Sequence, residues 1–383
     1  MDKNNGAIYD ARKLGKPKMI ILGVQHMFAM FGATILVPIL TGLGISTTLL
    51  MAGLGTLLFH CITKFKVPAF LGSSFAFLGG YAAIKAFSPN DPNSMLPYAC
   101  LGVACAGLIY FILAAVIKAV GVEKVMRFFP PVVTGPIIIA IGLGLAPSAV
   151  SNCTTNWFLA VVALAVIVVF NIWGKGMAKI IPIILGLLIS YGTGLVLYFI
   201  SQANPDLIQN VPWLFSGGAD ANGVYQPIFD FTSLNTICDN ISKGHIFGSE
   251  GLIGIPIHWD KTVFGGIDYS NGALIASSII AIVPIAFATM MEHIGDICAI
   301  SSTTGNNYIK DPGLHRTLVG DGLATTLASL FGGPANTTYG ENTGVLALTR
   351  VYDPRVIRIA AYFAVAVSFF PIVSVIIGSI PSC

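Results

Sequence analysis

Long apolar runs, interrupted at intervals by charges, glycines and prolines, dominate the chain. They fall at residues 19–40, 46–63, 68–87, 97–120, 128–149, 157–174, 178–201, 273–299, 314–332, 334–349 and 356–380. A helix needs about 20 apolar residues to cross the hydrocarbon of a bilayer, so the pattern predicts about eleven transmembrane helices. Residues 128–174 carry no charge in 47 positions, and the polar Ser151-Asn152-Cys153-Thr154-Thr155-Asn156 divides them into two spans. The runs are continuous rather than alternating, which excludes a membrane barrel. In lipid, helices are then the structure that satisfies the backbone. The expected fold class is an all-α polytopic membrane protein.

Composition narrows the function classes. Of 383 residues, 55% are hydrophobic and only 10% charged, with a mean hydropathy of +0.81. Soluble domains carry about 25% charged residues, so a soluble enzyme is excluded. Disorder is excluded too, because it needs low hydrophobicity and high charge. A net charge of +3 gives no reason to expect a nucleic-acid partner. The placement of basic residues says more than their sum. With the N-terminus in the cytoplasm, 17 of the 20 lysines and arginines fall in cytoplasmic segments, from Lys3 and Arg12 to Lys179, Lys310 and Arg358; Lys85, Lys243 and Lys261 are the exceptions. This asymmetry supports both the orientation and the span count. The first apolar run is too long for a cleavable signal and lacks a small-x-small site, so it reads as a true helix. The cysteines have no metal-ligand spacing, although Cys153 and Cys238 share the outer side. The hydrophilic stretch from 202 to 272 collects seven acids, Glu250 among them, and aromatics such as Trp213 and Phe229, as an ordered outer loop would.

Seven helices precede that loop. An odd number per half inverts the second half, as in transporters built from inverted repeats. Pro68-Ala69-Phe70-Leu71-Gly72-Ser73-Ser74-Phe75 opens the third span, and Pro334-Ala335-Asn336-Thr337-Thr338-Tyr339-Gly340-Glu341 opens the third span after the loop. Both start Pro-Ala and run into small and hydroxyl residues, which predicts an extended stretch and then a half-helix. Such a half-helix brings its positive N-terminus to the membrane midplane. Two of them in equivalent positions mark a substrate site.

Few acids lie inside spans. Glu292 ends a charge-free run from Tyr269 to Met291, and Glu341 sits in the tenth span. An ionisable group at the bilayer centre costs roughly 3 kcal/mol on insertion scales, which makes function the default reading. A carboxyl there can take up a proton on one side and release it on the other. Asp296 shares a helix face with Glu292 at i+4 and reads as a relay partner or as a charge at the helix end. His26 reads as an interhelical donor or a contact of substrate or glutamate. His293 and Asp321 read as structural hydrogen-bonding groups. Phe75 and Tyr339 read as packing groups or, in this half-helix setting, as faces for a flat ligand. The glycines of Gly53-Leu54-Gly55 and Gly142-Leu143-Gly144 let helices approach closely. No nucleophile–base set or metal cluster appears, so an enzyme is not expected.

The stretch Glu341-Asn342-Thr343-Gly344-Val345-Leu346-Ala347-Leu348-Thr349-Arg350 resembles the signature of the nucleobase–ascorbate transporter family. Gln25-His26 resembles that family's first-helix pair. Glu292-His293-Ile294-Gly295 and Asp311-Pro312-Gly313-Leu314-His315-Arg316 extend the likeness, which runs from about residue 19 to the C-terminus. It is closest to bacterial uracil-transporting members. The resemblance implies fourteen helices in two inverted repeats of seven, with broken helices 3 and 10 carrying short extended segments. It implies a cytoplasmic segment (1–18), core helices 1–4 (19–127), gate helices 5–7 (128–201), an extracellular loop (202–272) and core helices 8–11 (273–383). Gate helices 12–14 would be absent, as in a C-terminally truncated chain.

The implied activity is proton-coupled uptake of uracil by alternating access, in a homodimer, with the proton as coupling ion and no other cofactor. Glu292 and Glu341 would bind uracil, Phe75 and Tyr339 would flank it, and Ala33, Ser74 and Gly340 would complete the pocket. Glu292, Glu341, His26 and Asp296 would couple the proton. Asp296 departs from members with histidine there, which leaves the proton path open. A symporter of xanthine or another purine, and a non-transporting nucleobase sensor, are the alternatives.

Overall fold

The computed structural model describes residues 7–128, 131–175, 178, 182–220, 222–249 and 251–379. Lys3, Lys179, Glu250 and residues 380–383 lie outside the described residues. The chain divides into two compact units, residues 1–139 with 255–370, and residues 140–254 with 371–383.

In the first unit, α1 (Lys16–Thr41) and α2 (Ile45–Ile62) lead into a short strand, β1 (Leu71–Ser73). Then come α3 (Leu78–Lys85), α4 (Leu96–Val120) and α5 (Val122–Phe128). Helix α6 (Pro131–Cys153) begins in this unit and ends in the second. The second unit holds α7 (Trp157–Trp173), α8 (Pro182–Ala203), α9 (Asp206–Asn210), α10 (Pro212–Phe215), β2 (Ser216–Ala219), β3 (Tyr225–Pro227) and α11 (Thr232–Ser242). The chain returns to the first unit through α12 (Val263–Gly266), α13 (Gly272–Ile282), α14 (Ile285–Thr304) and α15 (Leu314–Leu330). There follow β4 (Asn336–Thr338), α16 (Gly340–Thr349) and α17 (Pro354–Ser368), and α18 (Pro371–Gly378) belongs to the second unit.

Among the described residues, five helices are long and apolar enough to cross a bilayer, or six if the bent pair α17–α18 is one span. The sequence pattern predicts about eleven crossings, and several of the predicted spans are not single long apolar helices, for physical reasons. The predicted spans 68–87 and 334–349 are each part strand and part short helix. Helices α7 and α15 have 17 residues each, short of the ~20 that a straight crossing takes. The predicted span 356–380 is not one helix, because α17 ends at Ser368 and α18 starts anew at Pro371. Proline has no N–H to continue the ladder and its ring crowds the preceding turn. Pro284 sits in a similar joint, but α13 and α14 still read as one apolar stretch of 33 residues.

Close helix crossings in the first unit are made at glycines. A Cβ at Gly107 of α4 would lie 2.7 Å from the Gly322 carbonyl, and one at Gly322 of α15 would lie 2.6 Å from the Gly107 carbonyl. The two backbones therefore touch, and Thr326 donates across the seam to the Ala104 carbonyl at 3.1 Å. Gly53 of α2 plays the same part against α17, where a Cβ would meet the Ala361 carbonyl at 2.7 Å. Small residues at such seams let dispersion and interhelical hydrogen bonds replace the hydrophobic drive that lipid cannot supply. The expected close approach is seen at Gly53 and Gly55; at Gly142 and Gly144 nothing among the described residues lies within 4 Å of the Cβ position.

In the second unit, Leu159 of α7 and Leu197 of α8 pack with Phe215, Ile228 and Phe229 from the outer stretch. Phe229 stacks on Phe231 with ring centroids 5.3 Å apart. Asn156 caps α7 by accepting from the Leu159 N–H, and its amide donates to the Ser216 carbonyl at 2.9 Å. These contacts order the hydrophilic stretch. Cys153 and Cys238 are both free thiols.

Candidate functional site

Strands β1 and β4 pair antiparallel in the first unit, with Leu71 opposite Thr338, Gly72 opposite Thr337 and Ser73 opposite Asn336. Two further bonds extend the ladder, from the Ser74 N–H to the Ala335 carbonyl and from the Tyr339 N–H to the Phe70 carbonyl, each 2.9 Å. Each segment starts Pro-Ala, a pairing that disfavours helix at its outset. Irregular backbone at this depth survives only inside protein or against a cavity, and here each strand supplies the other's partners.

Surrounding side chains hold the ladder. The Thr56 hydroxyl accepts from the Leu71 N–H at 2.9 Å, and the Ser73 hydroxyl donates to the Thr34 carbonyl at 2.8 Å. The Asn336 amide donates to the Met51 carbonyl at 2.7 Å. Tyr339 lies over Gly72, where a Cβ would come within 2.4 Å of its ring, and its hydroxyl donates to the Ser73 carbonyl at 2.8 Å.

A buried polar network stands behind β4. Thr338 donates to Asp321 at 3.1 Å, and His293 Nδ1 lies 2.9 Å from the Thr338 hydroxyl and 3.2 Å from the same carboxylate oxygen. With the threonine donating to the aspartate, Nδ1 carries the proton. His293 and Asp321 are fully buried. Asn342 in the first turn of α16 donates to His26 Nδ1 and to the His26 carbonyl, both at 3.2 Å.

Beside the ladder lies a cavity of about 380 Å³. Glu292 and Asp296 border it from α14, Gly340 and Glu341 from the start of α16, and Ser74 and Phe75 from the link between β1 and α3. Tyr339 also borders it, with its hydroxyl committed to the ladder. Thus seven of the nine residues singled out from the sequence meet around one space. Ala33 and His26 are buried and not on its wall; Ala33 offers its carbonyl to Ser73 at 3.3 Å, and His26 holds Asn342. Ser73, Thr337 and Thr338 complete the wall and were not singled out beforehand. Their signal was present in the hydroxyl-rich strands, but strand partners 265 residues apart cannot be read from spacing.

The chemistry of the wall is uneven. Three carboxyls border the cavity, from Glu292, Asp296 and Glu341. Glu292 Oε2 is buried with no hydrogen-bond partner among the described residues. Opposing charge comes from backbone. Helix α16 starts at Gly340 with no side-chain cap from Tyr339, so its first N–H groups and the positive end of its dipole open beside the cavity. A Cβ at Gly340 would lie 3.4 Å from Asp296 Oδ1, an ordinary contact that sets this carboxyl beside the start of α16. The site therefore offers a flat aromatic face, carboxylate acceptors and backbone donors.

The permease family Xan_ur_permease matches residues 17–383. The uracil permease of Bacillus caldolyticus is 38% identical over 374 residues, covering 95% of this chain and 74% of that protein. The probable uracil permease of Haemophilus influenzae is 36% identical over 381 residues, covering 97% and 78%. The uracil permease of Bacillus subtilis is 37% identical over 376 residues, covering 95% and 74%. Among solved structures, the transmembrane domain of the cyanobacterial bicarbonate transporter BicA aligns with a TM-score of 0.59 at 14% identity, covering 97% of this chain and 88% of that one. That likeness concerns the fold alone.

Proposed function

The chain belongs to the nucleobase–ascorbate transporter family of permeases, multi-pass membrane proteins and not enzymes, and on that premise we propose that it takes up uracil together with a proton. The observation that carries this reading is the pair of glutamates on one cavity, with Glu292 Oε2 unpartnered among the described residues. Uracil is flat, with two N–H donors and two carbonyl acceptors. Its N–H groups suit Glu292 and Glu341, its carbonyls suit the free N–H groups at the start of α16, and its face suits Phe75. Tyr339 closes the ladder side, Ser74 and Gly340 border the ring, and Ala33 supports the wall from behind.

Glu292 and Glu341 carry the coupling proton between the two sides, Asp296 exchanges it with Glu292 from one turn away, and His26 sets the position of Glu341 through Asn342. The N-terminus lies in the cytoplasm. Residues 19–127 and 273–383 act as the core and residues 128–201 as gate, with uptake by alternating access in a homodimer.

Labelled uracil uptake into vesicles under an inward proton gradient tests the reading. The expected result is uptake that rises with external acidity and is competed by unlabelled uracil better than by xanthine. Preferential competition by xanthine would move the substrate to the purines. Uracil binding without any uptake would make the protein a sensor.

A further inference from the structure

A second cavity, of about 610 Å³, lies in the first unit away from the ladder. It is bordered by Lys118 at the end of α4, Glu123 and Lys124 in α5, and Asn307, Lys310 and His315 around the start of α15. Three separate elements thus contribute lysines to one space. None of the three lysines is in an ion pair among the described residues. The nearby acid Asp311 is already committed, to Lys66 at 2.6 Å. A lone lysine at a helix end is explained by the helix dipole, and that account covers Lys118. It does not cover Lys124 and Lys310, which come from other elements and leave one glutamate to balance three cations.

The neighbouring surface is apolar. Leu108, Ile112, Val116 and Val120 are all exposed large hydrophobic side chains, spaced four residues apart on α4, so they form one stripe that ends at the cavity. A basic pocket continuous with an apolar helix face matches an anionic headgroup joined to acyl chains. We propose that this cavity binds the phosphoryl headgroup of an anionic phospholipid, with its acyl chains along the α4 stripe. The lysines hold the phosphoryl oxygens as point charges, and Asn307 and His315 border the headgroup. In the orientation proposed above the cavity opens on the cytoplasmic leaflet, where anionic lipids and cytoplasmic lysines meet.

The test uses the full chain purified in detergent and mixed phosphatidylglycerol–phosphatidylcholine, with retained lipid read by native mass spectrometry. The site variant carries Lys118→Gln, Lys124→Gln and Lys310→Gln. A control loses the same charge at Lys13, Lys18 and Lys243. The expected result is preferential retention of phosphatidylglycerol that falls at least about tenfold in the site variant and stays unchanged in the control. Equal retention in all three proteins, or equal loss in both variants, overturns the proposal. Phosphorus NMR with inorganic phosphate separates the sources. Lysine-dependent phosphate binding without a lipid preference overturns the lipid in favour of a soluble phosphoryl compound. The readout is independent of uracil transport, so the two readings fail separately.

Discussion

The route from Leu71 through α3 and the route from Asn336 through α16 are alike, a three-residue strand and then a short helix. Their strands pair with each other, and the link from β1 to α3 and the start of α16 border the same cavity. Their chemistry differs. Strand β1 is held at its Leu71 backbone by Thr56 and through the Ser73 hydroxyl on Thr34, and it needs glycine at position 72 to admit Tyr339. Strand β4 is held through its side chains, with Asn336 on Met51 and Thr338 on Asp321. Helix α3 has no acid in its first turn, whereas α16 has Glu341 there and Asn342 tied to His26. One architecture used twice thus supplies the frame, and the second copy supplies most of the polar groups. Substitutions in the second copy should therefore cost function, and those in the first should cost packing.

The largest effect is expected at the acids. Glu341→Gln keeps the shape and removes the charge of the second copy's acid, and charge-assisted hydrogen bonds contribute about 1.5–3 kcal/mol. Uracil uptake should fall roughly 10- to 100-fold, while Ser74→Ala on the first copy should stay within about threefold. Equal losses from the two would dissolve the contrast.

Packing reverses the order. Gly72→Ala places a methyl within 2.4 Å of the Tyr339 ring and should cost about 1–3 kcal/mol of stability by overpacking. Thr337→Ala, at the paired position of β4, should cost less than about 1 kcal/mol. Melting in detergent by tryptophan fluorescence measures both. A smaller loss is expected for Thr338→Val, which removes the hydroxyl between His293 and Asp321. Interhelical hydrogen bonds in membrane proteins average about 0.6 kcal/mol, with a maximum near 1.7, so the melting point should drop slightly.

The mildest effect concerns how the far ends are anchored. Lys85 at the end of α3 donates to the Thr41 carbonyl at 3.0 Å. At the end of α16, the Ile8 N–H reaches the Arg350 carbonyl and the Tyr352 N–H reaches Ile8, each at 2.8 Å. Asp10 beside them is held by Arg12 and Arg355. The hydrogen bond from Arg12, with Arg355 nearby, keeps the Asp10 carboxyl well below the ordinary carboxylate range. A lowered folded value means the contribution is complete above the unfolded value near 4. It fades as pH falls further, through the folded value. Amide exchange at Ile8 and Tyr352 should be protected equally at pH 7 and 5 and loosen in stronger acid. Asp10→Asn should show weaker protection throughout and no acid step; an unchanged profile would detach this strap from Asp10.

The frame was legible where local signals sufficed. Pro68-Ala69 and Pro334-Ala335 announce extended entries, and both strands follow them. Glu292 and Glu341 stood out because charge is scarce inside apolar runs. The break before Pro371 was not legible, because an apolar run looks alike whether it forms one helix or two. The His293–Thr338–Asp321 network was not legible either, since it joins α14, β4 and α15 through space. Likewise the strand register sets Ser73 and Thr337 on the cavity wall by pairing that no local spacing encodes.

The most direct test of the cavity's role is calorimetric titration of uracil into the purified protein and into Glu341→Gln, a binding readout that does not depend on a completed transport cycle. The account predicts measurable binding to the first and at least about a tenfold weaker affinity for the second. The same affinity for both would contradict it.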